Sequence, residues 1–156
     1  MHNCPQTKGQ STLEHGFSVK NHVFDLLNHL KYNIPLKYEF KIPEWVYSNR
    51  DLILNSLPCD KDLKLYTVFH DCGKWECLTI DDSGKSHFPN HSEVSYQVSK
   101  KIFNNKLVSD LIRHDMDIHV LKSDQLEEFS KNENCITLLI VGLCEIKSNA
   151  KMFGGL

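Results

Sequence analysis

Long apolar runs are missing from this chain. The longest, Ile136 to Cys144, has nine residues and includes Thr137 and Gly142, whereas a membrane-spanning helix needs about twenty. No membrane partner is therefore expected. An excess of one charge is missing too. Eighteen basic and 20 acidic residues leave a net charge of −2, which excludes a global field for nucleic acid or anionic lipid. Cys-x-x-Cys pairs are absent, the six cysteines being scattered at 4, 59, 72, 77, 135 and 144. A chain of 156 residues does not need disulfide staples, so reduced thiols and an intracellular, cytoplasmic setting are expected. Met1 to Gln10 is polar and shows no signal-peptide apolar region. Neither an internal repeat nor a Pro/Gly linker divides the sequence, which predicts one domain over residues 1–156.

The punctuation that is present is helical. Ser11-Thr12-Leu13-Glu14 spells a capping box. Behind it Phe17, Val19, Val23, Phe24, Leu26, Leu27 and Leu30 recur at mostly three-to-four spacing, predicting an amphipathic helix to about Tyr32. Pro43 suits the first turn of a second helix carrying Trp45, Val46, Leu52, Leu54 and Leu57. Asp60 is placed to cap a third helix through Phe69, with Gly73 as its stop. Asn90-x-x-Glu93 is a second capping-box-like start. Residues 105–116 read as helical, and Ser123 is placed to cap a short piece through Phe129. Ile136 to Phe153, apolar nearly all round at first, predicts a buried central helix. Only 75–88, with the turn Asp81-Asp82-Ser83-Gly84, reads as a short hairpin. The expected fold class is all-α.

Nine histidines are the unusual count. His70-Asp71-Cys72-Gly73-Lys74 sets an imidazole, a carboxylate and an ammonium at the end of an apolar helix, with Lys74 close to the face of His70. The first two groups hold a cation, and the third meets phosphate oxygens. His15, His91, His114 and Glu145 are further candidate ligands on or near helix ends. They are far apart in sequence, unlike structural zinc motifs, whose ligands lie about two to five residues apart. Tertiary packing must therefore assemble the site. His15 has rivals in His22 and His29, each seven residues further on and near the same helix face. Its place just behind the capping box favours it. In the second His-Asp pair, His114 reads as a ligand, and Asp115 stays open. Gly84-Lys85-Ser86 lacks the earlier glycine of a phosphate-binding P-loop, position 79 being Thr. Cys72 and Cys77 have no second ligand pair at zinc-finger spacing.

The order His, His-Asp, His, His, acid resembles the two-metal members of the HD-domain phosphohydrolase superfamily, from about Glu14 to Asn149. The resemblance implies an HD-type helical bundle with its metals between helix ends. It also implies the ligand set His15, His70, Asp71, His91, His114 and Glu145. Asp71 would bridge two divalent transition metals (manganese, iron, nickel, cobalt or zinc). His15, His70 and Glu145 would favour one metal, and His91 and His114 the other. The family's last ligand is usually Asp, where this chain has Glu145. The strings Phe69 to Lys74, His87 to Tyr96 and Glu145 to Gly155 are similar to the HD phosphatase modules associated with polynucleotide kinases in RNA repair.

What this implies is phosphoester hydrolysis on a nucleotide or on the 2′/3′-phosphorylated end of an RNA, with a kinase partner in trans as a companion. Asp71 and Lys74 would be catalytic, Lys74 stabilising charge on the non-bridging oxygens. Lys74, His87 and Lys147 would contact substrate, with Lys151 nearby and Phe88 or Tyr96 as stacking surfaces. The alternatives are a small-molecule nucleotidase, another two-metal HD enzyme, and a non-catalytic nucleotide-binding module.

Overall fold

In the computed structural model, which describes residues 1–7, 9–38 and 41–149, the capping box forms as expected. Ser11 Oγ accepts the Glu14 N–H at 3.2 Å, and Glu14 Oε2 accepts the Ser11 N–H at 2.8 Å. This pair launches α1, Thr12–Tyr32, which buries Val19, Val23, Leu26, Leu27 and Leu30. Asn33, left-handed with φ of 57°, ends the helix.

The single helix expected after Pro43 is two: α2, Glu44–Ser48, and α3, Arg50–Ser56. The break at Asn49 resets the apolar register, so Val46 and Ile53 are buried while Leu52 is exposed. Pro43 stands just before α2 rather than in its first turn. Next comes α4, Asp60–Phe69, whose cap position is Cys59; Asp60 is its first residue and does not cap it. The helix ends at Phe69, four residues before the expected glycine, and His70 to Glu76 continues as turns.

Gly73 serves another purpose. A Cβ there would stand 2.4 Å from Ser95 N and 2.6 Å from Val94 C, so only glycine allows the turn to lie against α5, His91–Phe103. Gly16 plays the same part between α1 and α4, where a Cβ would meet Val68 O at 2.1 Å. Asn90 precedes α5 in a left-handed conformation and makes no side-chain cap, so the second capping box does not form.

The 75–88 segment is a hairpin of β1, Thr79–Ile80, and β2, Ser86–His87. A second hairpin, β3, Pro5–Thr7, with β4, Gln10–Ser11, precedes α1 and was not expected. After α5 come α6, Lys106–Arg113, capped by Asn105, and α7, Asp117–Val120. A 3₁₀ turn, Ser123–Gln125, leads into α8, Leu126–Ser130. The last helix among the described residues is α9, Cys135–Asn149, with Leu138, Ile140, Val141 and Cys144 buried. The remainder of the helix expected to Phe153 lies outside the described residues.

The described residues are thus mostly helical. The core joins side chains of α1, α2, α3, α4, α6 and α9, with α5 laid against α6. No helix among the described residues is long and apolar enough to cross a membrane. The six cysteines are unpaired.

Candidate metal centre

Because α1 packs on both α4 and α9, His15 near the start of α1, His70 at the end of α4 and Glu145 on α9 meet. His15 Nε2 lies 3.3 Å from Glu145 Oε1, and His70 Nε2 lies 3.8 Å from the same oxygen. The rival histidines are engaged elsewhere. His22 stacks on Tyr38, with ring centroids 4.1 Å apart, and His29 Nδ1 meets the Ile34 carbonyl at 2.8 Å.

The orientation of His70 is fixed from behind. Its Nδ1–H donates to the Thr67 carbonyl at 2.9 Å, which turns Nε2 toward the carboxylates. Nε2 is buried and makes no hydrogen bond among the described residues, although Asp71 Oδ2 lies 3.3 Å away. Lys74 donates to that same oxygen at 2.7 Å and to Gln6 Oε1 at 3.0 Å, and its Nζ lies 5.3 Å from the centroid of the Phe88 ring. His91 faces the other oxygen, with Nε2 at 3.6 Å from Asp71 Oδ1, while its Nδ1 donates to the Phe88 carbonyl at 3.1 Å. Asp71 therefore spans His70, Lys74 and His91.

His114 does not join them. Its Nδ1 pairs with Asp117 Oδ2 at 2.7 Å, its side chain is 44% exposed, and it lines a separate cavity with Asp110 and Phe129. Consecutive residues can share the centre, as His70 and Asp71 do, but His114 turns outward to Asp117. Asp115 takes the inner position, accepting the Tyr66 hydroxyl at 2.6 Å. The histidine that reaches the centre is His119, four residues after Asp115, whose Nε2 lies 2.9 Å from Glu145 Oε2. Two groups result among the described residues, His15–His70–Glu145 and Asp115–His119–Glu145, each with ligand atoms within 4.8 Å of one another. The carboxylate common to both is Glu145, not Asp71. No helical spacing singles out His119, because Asp115 lies in the turn between α6 and α7 and the fold brings the two side chains together.

The charges are strongly coupled. Burial opposes charging His70, but Asp71, Asp115 and Glu145 outweigh it and push the imidazole up to about 10. Burial also opposes ionising Asp71, yet His70 and Lys74 hold its carboxyl well below the usual range. Glu145 is likewise buried, and hydrogen bonds from His119 and His15 hold it low. For Asp115 burial wins and pushes the carboxyl up to about 6. The buried His70 imidazole is thus charged only because carboxylates surround it, the balance of donors that a cation site also requires.

A cavity of about 390 Å³ opens beside this cluster, reached by Asp71, Lys74, His91, Asp115, His119 and Glu145. His87 does not face it. It pairs with Asp81 at 2.7 Å across the β1–β2 hairpin, half exposed. Lys147 is half-buried and does not line the cavity, and Lys151 lies outside the described residues. Tyr96 sits between Lys100 and Arg113, at 5.0 and 4.7 Å from its ring centroid, rather than in the cavity. Compared with known proteins, the sequence matches no protein-family model, and neither a curated protein nor a solved structure matches it.

Proposed function

We propose that this chain is a metal-dependent phosphohydrolase of the HD type, removing a phosphate from a nucleotide or from the 2′- or 3′-phosphorylated end of an RNA. One observation carries the reading. A buried imidazole–carboxylate cluster and the Lys74 ammonium share Asp71 at a cavity large enough for a small ligand.

The residues fit a cation. His70 presents a buried, unbonded Nε2 whose tautomer is set by Thr67, and nitrogen with carboxylate oxygen is a donor set for transition metals. His15, His70, Asp71 and Glu145 would hold one ion. Asp115, His119 and the shared Glu145 would hold a second, with His91 beside Asp71. The chemistry a divalent cation supplies here when bound is Lewis acidity toward phosphoryl oxygens and a water acidic enough to ionise near neutral pH.

The chain's own groups do the rest. Lys74, fixed by Asp71, offers positive charge to a non-bridging oxygen as charge develops there. Tyr66 holds Asp115 in its inward position. The cavity volume is near the lower end of ligand sites, about 300–1,000 Å³, so one nucleotide unit fits and a polymer would lie outside.

The test is elemental analysis of protein purified without chelator, then hydrolysis of p-nitrophenyl phosphate, mononucleotides and phosphorylated RNA ends with manganese, iron, nickel, cobalt or zinc. Asp71→Ala should lose both metal and turnover, whereas Lys74→Ala should keep metal and lose turnover. Protein that takes up no metal and hydrolyses none of these substrates overturns the reading.

A further inference from the structure

We propose that Gln6 is a positioning residue that holds the Lys74 ammonium in one orientation at the cavity. The hairpin ahead of α1 is then a working part of the site. What Lys74 acts on rests on the phosphohydrolase reading; that Gln6 holds it does not. The two strands of that hairpin pair unevenly. Pro5 stands opposite Ser11 and Thr7 opposite Gln10, so Gln6 is the extra residue of a bulge. A bulge re-aims a side chain and leaves its residue outside the ladder.

The hairpin is also tied to the helix that carries His15. Ser11, the partner of Pro5, caps α1. The Cys4 carbonyl accepts the Thr12 N–H at 2.9 Å, and the Met1 carbonyl accepts the Thr12 hydroxyl at 2.9 Å. One piece of local structure therefore delivers both His15 and Gln6.

An ammonium has three N–H donors. In Lys74 one goes to Asp71 Oδ2 at 2.7 Å and one to Gln6 Oε1 at 3.0 Å. Two fixed directions set the third, which has no hydrogen-bond acceptor among the described residues. Lys74 lines the cavity and its side chain keeps 10% of its surface exposed, so a ligand oxygen can supply that acceptor. The two anchors are unlike. Asp71 Oδ2 also lies 3.3 Å from His70 Nε2, among the groups that would hold a cation. Gln6 is outside those groups, so its hold on Lys74 survives when Asp71 is engaged. Its amide is neutral, which leaves the ammonium charge uncancelled for a phosphate. A carboxylate in its place would cancel that charge.

The experiment compares the full chain with Gln6→Met, which removes the acceptor at similar size, and Gln6→Glu, which keeps an acceptor and adds a charge. In ¹⁵N-labelled protein without metal, the held Lys74 ammonium should give a resolved NMR signal, identified by its loss in Lys74→Ala. Gln6→Met should broaden that signal away, and Gln6→Glu should retain it. Its absence from the unaltered chain, or its persistence in Gln6→Met, overturns the assignment. With manganese and p-nitrophenyl phosphate, both variants should lose kcat about tenfold to a hundredfold, the scale of a misplaced group. KM and manganese affinity should change little. An unchanged kcat in Gln6→Met overturns the positioning role, as does a fall matched by equal losses of manganese affinity and Tm. An unaltered chain that hydrolyses nothing counts against the phosphohydrolase reading, while the Lys74 signal still decides whether Gln6 holds it.

Discussion

Gly16→Ala adds one methyl group to the second turn of α1. By helix propensity alone the change favours the folded chain by up to about 1 kcal/mol. The neighbouring backbone opposes it. The new Cβ would lie 2.1 Å from Val68 O, 2.8 Å from Val68 C and 3.0 Å from Val68 Cα. Carbon atoms rest near 3.5–4.0 Å, so α1 and α4 must part by roughly 1 Å. Overpacking typically costs about 1–3 kcal/mol, and main chain cannot swing aside as a side chain does. A net loss of about 2 kcal/mol remains after propensity is credited. For a chain of this size that lowers Tm by about 4–8 °C. The same separation carries His15, the adjacent residue, away from the His70 ring, whose centroid is 5.1 Å from its own. Cation affinity should then fall about tenfold or more. Thermal melts with and without added metal, paired with a metal-binding titration, measure both effects. An unchanged or raised Tm refutes the close approach of the two helices. A lowered Tm with unchanged metal affinity refutes the placement of a ligand on α1.

His119→Ala should weaken metal binding about tenfold to a hundredfold, while His114→Ala, which removes a half-exposed partner of Asp117, should leave it unchanged; competition with a chromogenic chelator checks both. Tyr66→Phe removes the hydroxyl from a buried carboxyl and should cost about 1–3 kcal/mol in a denaturant melt. Burial pushes the Cys72 and Cys144 thiols up to about 12 from the ordinary 9.0. Because these folded values lie above the unfolded one, their contribution to stability is complete below pH 9 and is lost as pH rises toward 12, which melts across that window will read. At pH 8 iodoacetamide should label exposed Cys59 well ahead of Cys144, as peptide mass mapping will show.

The parts of the centre legible in the sequence are those set by local rules. Ser11 and Glu14 fix where α1 begins, and hence where His15 falls. His70, Asp71 and Lys74 stand together because α4 ends just before them and the chain turns there. The identity of the remaining histidine was not legible, because it depends on which of His114 and Asp115 turns inward. Tyr66, 49 residues from Asp115, settles that through packing. Gly73 was misread for a related reason. A glycine after a helix has the pattern of a helix stop, and only the backbone of α5 lying against it reveals the other use. The division of α2 from α3 at Asn49 escaped notice because the apolar spacing across it looks continuous.

The contact between Gly73 and Ser95 also makes the hairpin between them detachable. Ser95 Oγ accepts the Gly73 N–H at 2.9 Å, and the Cys72 thiol reaches the Ser95 carbonyl at 3.4 Å. The two ends of the excursion that holds β1 and β2 are thereby stitched together below it. Lengthening such a closed loop is inexpensive, about 0.6 kcal/mol for each doubling. Residues 79 to 87 are thus a graft point, where a longer segment can be inserted while Asp71 and His91 keep their separation.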